Sequence, residues 1–474
     1  MTDDPRSDRN PNVRLRAVIA SIQLPGVSDD AVFASRQELR RLLETLGYDV
    51  VGHVVQKRST LAPAAVLGEG KLLELAAFTG GTGEVPDAAS SANRTKDKAR
   101  RRREALTGEG DDTPKAQLTG TVEERRAARR ADVVAVDHEI SPSQARNLEQ
   151  SCDAEVLDRT GVIVEIFHRH AKSREARLQV EIARLTYQVP RLRMSTKASE
   201  REAGQGAGES QLELDRRRVR DRIAQLRHEL ADMEASQGQR RARRAEARRV
   251  ALVGYTNAGK SSLMRALTGH EVYVADKLFA TLDTTVRAIP STHPRILVSD
   301  TVGFISQLPH DLVASFRSTL DEARECSLLL YVSDASDPTF REQLAVTRAV
   351  LGEIGANDAP SLLLLNKCDR LAKREIAVLQ REYPDAVCLS AHRPEDVEAL
   401  KERLVAHFEK DLQEVELLVP YRQSALIGEI RQNTRVVTET HDEEGFRLVL
   451  RGEGTYLESL QSRLNPAGAP PIAP

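Results

Sequence analysis

The sequence predicts an α/β protein in three parts: an N-terminal parallel α/β unit carrying a long helical hairpin, a P-loop domain on a doubly wound sheet, and a small C-terminal α+β domain. Three observations carry that expectation. Strand-like and helix-like patterns alternate from Arg16 to about Phe78; an apolar heptad runs through the arginine-rich stretch 212–249; and a β-branched strand leads directly into a Gly-rich loop at Gly254. The expected boundaries are 1–12 as a disordered tail, 13–167 for the N-terminal α/β domain, 168–249 for the hairpin, 250–411 for the P-loop domain, 412–464 for the C-terminal domain, and 465–474 as a second disordered tail.

The size and charge of the chain agree with this division. At ~150 residues per domain, 474 residues make about three domains. The 69 Lys and Arg against 71 Asp and Glu leave a formal charge of −2, which excludes an indiscriminate polycation but not local basic patches; no DNA partner is expected. The four cysteines, Cys152, Cys326, Cys368 and Cys388, contain no Cys-x-x-Cys pair and read as free thiols of a reducing compartment. The N-terminus is charged and no window is long and apolar enough to span a bilayer. The expectation is a cytoplasmic monomer without membrane insertion.

Within the N-terminal unit, RAVIASIQL reads as a strand, the stretch holding Phe33, Leu39, Leu42, Leu43 and Leu46 as an amphipathic helix, and VVGHVV as the next strand. The pattern resumes at Asp132–Asp137. Ser141-Pro142-Ser143-Gln144 then has the form of a helix start, with Ser at the cap, Pro in the first turn and Gln three residues on. Between these halves, 79–131 is poor in large apolar residues and reads as a disordered insertion, with an RNA-contacting basic loop as the alternative. Its 91–130 portion holds 12 Lys or Arg against 7 Asp or Glu.

In the hairpin, Leu212, Val219, Ile223, Leu226, Leu230 and Met233 form a heptad seam, and Leu178, Ile182, Leu185 and Val189 form its antiparallel partner face. Residues 212–249 carry 12 Arg against 7 acids, which suits either a solvated face or contact with a polyanion.

Gly254-Tyr255-Thr256-Asn257-Ala258-Gly259-Lys260-Ser261, followed by Ser262, is a full G-x-x-x-x-G-K-[ST] phosphate loop between a strand and a helix. Its backbone N–H groups suit a cradle for phosphates, with Lys260 reaching the β and γ phosphates and the Ser261 hydroxyl ligating Mg2+. A strand then delivers Asp300-Thr301-Val302-Gly303, which brings a carboxylate to the metal shell and the Gly303 N–H to the γ-phosphate. Between them, Phe279-Ala280-Thr281-Leu282-Asp283 is the segment that must offer a threonine to Mg2+ and the γ-phosphate. Thr281 is favoured over Thr284 and Thr285.

Asn366-Lys367-Cys368-Asp369 follows a buried strand and selects the base. The Asp369 carboxylate can accept from the ring N–H and exocyclic amine of guanine, and adenine would leave it unpaired. Lys367 should lie along the base, Asn366 should tie this loop to the phosphate loop, and Ser390-Ala391-His392 supplies the turn whose backbone meets the guanine carbonyl. The site residues for GTP and GDP are therefore 254–262, 279–283, 300–303, 366–369 and 390–392, with Lys260, Thr281 and Gly303 in catalytic roles and Ser261 and Thr281 as metal ligands.

The stretches GYTNAGKSS, LFATLDTT, DTVGFISQLPHDLV, LLNKCD and LSAH closely resemble the HflX family of GTPases, as do LGEGKLLEL, ISPSQARNLE, VIVEIFHRHAKSREARLQVEIARL and GESQLELDRRR outside the P-loop domain. The resemblance implies a cytoplasmic GTPase that binds the large ribosomal subunit and its ribosomal RNA and splits stalled or idle ribosomes under stress, with the hairpin as the arm that reaches RNA. The hairpin loop departs from the family pattern: Gln205-Gly206-Ala207-Gly208-Glu209 has Gln for Arg and Ala for Pro. Phe304 stands where Ras-like GTPases place the Gln that orients the attacking water, so intrinsic hydrolysis should be slow until another group positions that water. In related GTPases with a hydrophobic residue at that position, an Asn such as Asn257 can help hold K+, whose charge substitutes for an arginine finger; the alternative is an Asn that only stabilises the loop by hydrogen bonding. Two other functions fit the same motifs, a GTPase controlling tRNA modification and a GTP-gated protein or membrane regulator without an RNA role.

Overall fold

The computed structural model describes residues 14–61, 64–85, 130–199, 207–242, 248–269, 278–279, 285–292, 294–306, 322–356, 359–410 and 412–464. They fall into two compact units, the first built from the chain up to Glu234 and the second from most of the remainder.

The first unit centres on a parallel sheet of order β2-β1-β3-β4, made of β1 (Arg16–Gln23), β2 (Asp49–Lys57), β3 (Val133–Val136) and β4 (Glu155–Asp158). Their alternation with α1 (Asp29–Thr45), α2 (Glu69–Thr79), α3 (Pro142–Cys152) and α4 (Arg159–His170) is the pattern expected from the sequence. Local signals set the helix ends: Ser28 caps α1 by accepting from the Ala31 N–H, and Ser141 and Gln144 close a reciprocal capping box at the head of α3. One face of the sheet buries Val18, Ala20, Ile22, Val134 and Val136 against Leu72, Leu75 and Leu148. Phe33 differs from expectation. It is 53% exposed, because the buried stripe of α1 runs through Val32, Leu39, Leu42 and Leu43.

The ends of the 79–131 segment also differ from a disordered reading. Thr79 is buried at the close of α2, the Gly83 N–H donates to the Ser151 carbonyl, and Ala131 is buried in the sheet core. Residues 86–129 and both expected tails, 1–12 and 465–474, lie outside the described residues.

The hairpin comprises α5 (Arg174–Ser199) and α6 (Ala207–Ala242), the latter roughly 54 Å long at about 1.5 Å per residue. Leu178, Ile182 and Leu226 are buried together, with Leu185, Ile223, Leu230 and Met233 packed around them, so the predicted seam forms over these positions, while Val189 and Val219 lie outside this cluster. The pairs Arg174–Glu229 and Glu181–Arg222 fix the antiparallel direction. Helix α6 begins at Ala207, inside the stretch expected as loop.

Two pieces from farther along the chain cluster with this unit. Phe279 sets its ring edge-on to Phe167 of α4 with centroids 4.6 Å apart, and the Ser306 carbonyl accepts from Arg159 Nε at 3.3 Å.

The second unit holds a sheet of order β10-β9-β8-β5-β7-β6, from β5 (Arg248–Gly254), β6 (Thr285–Ala288), β7 (Ile296–Asp300), β8 (Leu328–Asp334), β9 (Ser361–Asn366) and β10 (Val387–Cys388). It is parallel except for β6, which runs antiparallel on the edge. Helices α7 (Lys260–Thr268), α8 (Phe340–Glu353), α9 (Lys373–Glu382) and α10 (Pro394–Glu409) cover it. The central position of β5, with β7 on one side and β8 on the other, creates the crevice at the carboxyl ends of the strands where doubly wound folds bind ligands.

The same unit includes a three-stranded antiparallel sheet of order β11-β13-β12, from β11 (Gln413–Pro420), β12 (Arg435–His441) and β13 (Gly445–Gly452). Helices α11 (Leu426–Asn433) and α12 (Gly454–Leu464) bury Ile430, Leu457, Leu460 and Leu464 against Leu417, Val419, Leu448 and Leu450.

Candidate guanine-nucleotide site

The phosphate loop forms at the mouth of β5 because its neighbours leave room for nothing larger than its glycines. Gly259 has φ +94°, and a Cβ there would lie 2.3 Å from Asn366 Nδ2. Lys260 opens α7 and is buried, its Nζ donating to the carbonyls of Gly254 at 3.1 Å and Tyr255 at 2.8 Å. Burial pulls this ammonium down to about 8, while the nearby Asp300 charge acts in the opposite sense.

Ser261 Oγ donates to Asp300 Oδ2 at 2.6 Å, which joins the residue predicted as metal ligand to the carboxylate at the end of β7. A hydroxyl and a buried carboxylate at this spacing fit Mg2+, a hard cation that prefers oxygen. Thr301 is buried and donates to the Leu252 carbonyl, so β7 is braced to β5 at this level. At Gly303 a Cβ would meet Thr256 at 2.8 Å and Lys260 Nζ at 3.1 Å, so glycine is needed for the close approach to the phosphate loop. Val302 and Phe304 are buried, and the Thr256 N–H and Phe304 carbonyl, 2.8 Å apart, tie the two segments together.

The base side is equally connected. Asn366 Nδ2 donates to the Ala258 carbonyl at 2.9 Å, and its Oδ1 accepts from the Ala391 N–H at 3.1 Å, so one amide links the phosphate loop to both base loops. Lys367 has φ +61° and donates to the Asn257 carbonyl at 2.8 Å. Cys368 is buried, and burial pushes its thiol up to about 12, which makes it part of the packing rather than a nucleophile. Asp369 is exposed, and a hydrogen bond from Ser390 holds its carboxyl below the usual carboxylate range. Ser390 Oγ in turn accepts from the His392 N–H at 3.2 Å.

The structure thus brings together residues 254–262, 300–303, 366–369 and 390–392 at one end of one sheet. Ala280, Thr281, Leu282, Asp283 and Thr284 lie outside the described residues, and Phe279 is buried on Phe167 with φ +58°. Two carboxylates that the motifs do not contain also stand behind the base loops. Asp334, the last residue of β8, pairs with Lys367 Nζ at 2.7 Å, and Asp396 of α10 accepts from the Ser390 N–H at 2.8 Å. The signal for Asp334 was its place at the end of an apolar strand, and for Asp396 its place in a first helical turn.

Family models match three stretches of the chain: the N-terminal region of GTP-binding GTPases over 34–84 and 103–168, their middle region over 170–244, and the 50S ribosome-binding GTPase over 249–367. GTPase HflX of Gluconacetobacter diazotrophicus is 59% identical over 449 residues, covering 94% of this chain and 97% of that protein. GTPase HflX of Caldanaerobacter subterraneus is 33% identical over 438 residues, covering 91% of this chain and 89% of that protein. Among solved structures, a GTP-binding protein from the hyperthermophilic archaeon Sulfolobus solfataricus in complex with GDP aligns at 22% identity and a TM-score of 0.40, covering 82% of this chain and 99% of that one.

Proposed function

From the premise that this chain belongs to the HflX family of GTPases and hydrolyses GTP, we propose that it acts in the cytoplasm, as a monomer, on the large ribosomal subunit. Binding to that subunit stimulates hydrolysis, and the GTP-bound protein splits stalled or idle ribosomes under stress. The observation that carries this reading is the joining of a GTPase domain to a long antiparallel hairpin, whose second helix turns Arg217, Arg220 and Arg227 to solvent. Arginines along a rod suit the phosphates of ribosomal RNA.

At the site, the phosphate-loop N–H groups and Lys260 hold the β and γ phosphates, and the positive end of α7 adds to their field. Ser261 and Thr281 are the residues that would hold Mg2+, with Asp300 behind Ser261; the ion, when bound, offsets phosphate charge. Gly303 offers its N–H to the γ-phosphate, and Asp369 selects guanine. Phe304 cannot hydrogen-bond the attacking water, so a slow intrinsic rate and a strong ribosomal stimulus belong together. Asn257 of the phosphate loop would help hold K+ beside the phosphates; equal rates in KCl and NaCl would dismiss that role.

The test is GTP turnover with and without purified large subunits, followed by gradient sedimentation of intact ribosomes with protein and GTP. The expected results are at least about tenfold stimulation, within the range by which a supplied group accelerates such reactions, and conversion of intact ribosomes to subunits. An unchanged rate together with absence of co-sedimentation would overturn the ribosomal reading. Binding without conversion would remove the splitting step alone.

A further inference from the structure

We propose that Asp334, outside every nucleotide-binding motif of the chain, is a positioning residue for guanine recognition that acts through Lys367. The inference rests on reading Asn366-Lys367-Cys368-Asp369 as the base loop.

Strand pairing sets the juxtaposition. In the parallel β8–β9 ladder Asp334 lies opposite Asn366, and the Ala335 N–H donates to the Asn366 carbonyl at 2.9 Å. The register therefore delivers the Asp334 side chain to the next residue of β9's exit, Lys367, at an Oδ2–Nζ distance of 2.7 Å. The other oxygen is already engaged, because Asp334 Oδ1 accepts from the Ser336 N–H at 3.0 Å and from Ser336 Oγ at 2.6 Å. With Oδ1 anchored, the carboxylate cannot rotate freely and Oδ2 is presented in one direction.

The pair is well desolvated, each side chain being 14% exposed, so it is not the loosely held surface ion pair whose net contribution is near zero. Lys367 Nζ is held at a second point by the Asn257 carbonyl at 2.8 Å. An ammonium tied to both the end of β8 and the phosphate loop holds its four-carbon stem stretched between them. A free lysine would have to lose that rotamer freedom when nucleotide binds; here the ordering is complete beforehand. Asp334 thus contributes to affinity for the base without touching it, while the choice of guanine stays with Asp369.

The experiment measures release of a fluorescent GDP from the full-length protein, comparing wild type, Asp334→Asn, Lys367→Ala and the double variant. Asp334→Asn should speed release about tenfold, which is 1.4 kcal/mol and within reach of one charge-assisted hydrogen bond. The double variant should match Lys367→Ala alone, because the two residues act as one unit. Steady-state turnover should show KM for GTP raised by a similar factor with kcat changed by less than about twofold. The preference for GDP over inosine diphosphate, which lacks the exocyclic amine, should persist in Asp334→Asn.

Unchanged release in Asp334→Asn, or the same acceleration in the Lys367→Ala background, would overturn the proposal. Collapse of the GDP preference in Asp334→Asn would also overturn it, by showing a deformed loop. A wild-type protein that does not prefer GDP over inosine diphosphate would instead overturn the base-loop reading beneath it.

Discussion

The chain contains two largely parallel sheets, and a buried cation at the carboxyl edge of each meets a different electrostatic environment. At the edge of the first sheet, the buried charges of Arg159 and Asp158 are matched. Arg159, 2% exposed, pairs with Asp137 at 2.7 Å and with Glu38 and also donates to Ser35, while Asp158 accepts from Tyr187, Arg191 and the Gly161 N–H. At the edge of the second sheet, Lys260 is buried among described residues with hydrogen bonds only to backbone carbonyls, at the N-terminus of a helix. A cation already neutralised by buried carboxylates has little to offer an anion, whereas one held by dipoles keeps its charge for a phosphate. The carboxyl edge of one sheet thus holds a matched charge network, and that of the other holds the candidate nucleotide site.

Four single substitutions, the first with a compensating pair, break or sharpen this contrast. Arg159→Met strands Asp137 and Glu38 without their cation and should cost about 3–5 kcal/mol of stability, read as an earlier unfolding transition of the first unit in urea. Adding Asp137→Asn and Glu38→Gln should recover much of that loss, because the uncompensated charge causes it. Lys260→Ala should leave folding intact yet slow GTP hydrolysis by about 100-fold or more, measured as phosphate release at saturating GTP. Asp396→Ala, which frees the Ser390 N–H, should weaken GDP binding by roughly tenfold, or about 1.4 kcal/mol, in equilibrium titration. Tyr187→Phe removes one donor from buried Asp158 and should cost about 1 kcal/mol, seen as a small shift in thermal unfolding with nucleotide affinity unchanged. An effect of Tyr187→Phe on nucleotide affinity as large as that of Asp396→Ala would mean that the two edges are not independent.

The legible part of the molecule was the part encoded by neighbouring residues. The phosphate loop, Asp300-Thr301-Val302-Gly303, the base loop and the Ser141 capping box each need only a strand, a turn and a helix start in contiguous sequence, and all formed where the pattern placed them. The hairpin seam was readable for the same reason, since its helical period reports one face. Phe33 misled because an apolar residue beside a buried stripe looks like part of it, and only packing shows that the stripe passes through Val32. The buried ends of the 79–131 segment were missed because glycines pack by backbone approach, as at Gly81 against Ser151 and Cys152, and leave no hydrophobic signal.

The sequence by itself determined the class of fold and the motifs of a GTPase, because backbone geometry over a few residues suffices to build those loops. Only the tertiary structure decided which charges are occupied. Arg159 finds Glu38 across 121 positions of chain, and Lys367 finds Asp334 through the register of two strands. A charge is available to a ligand only if no folded neighbour has claimed it, and the claimants come from parts of the chain that only packing brings together.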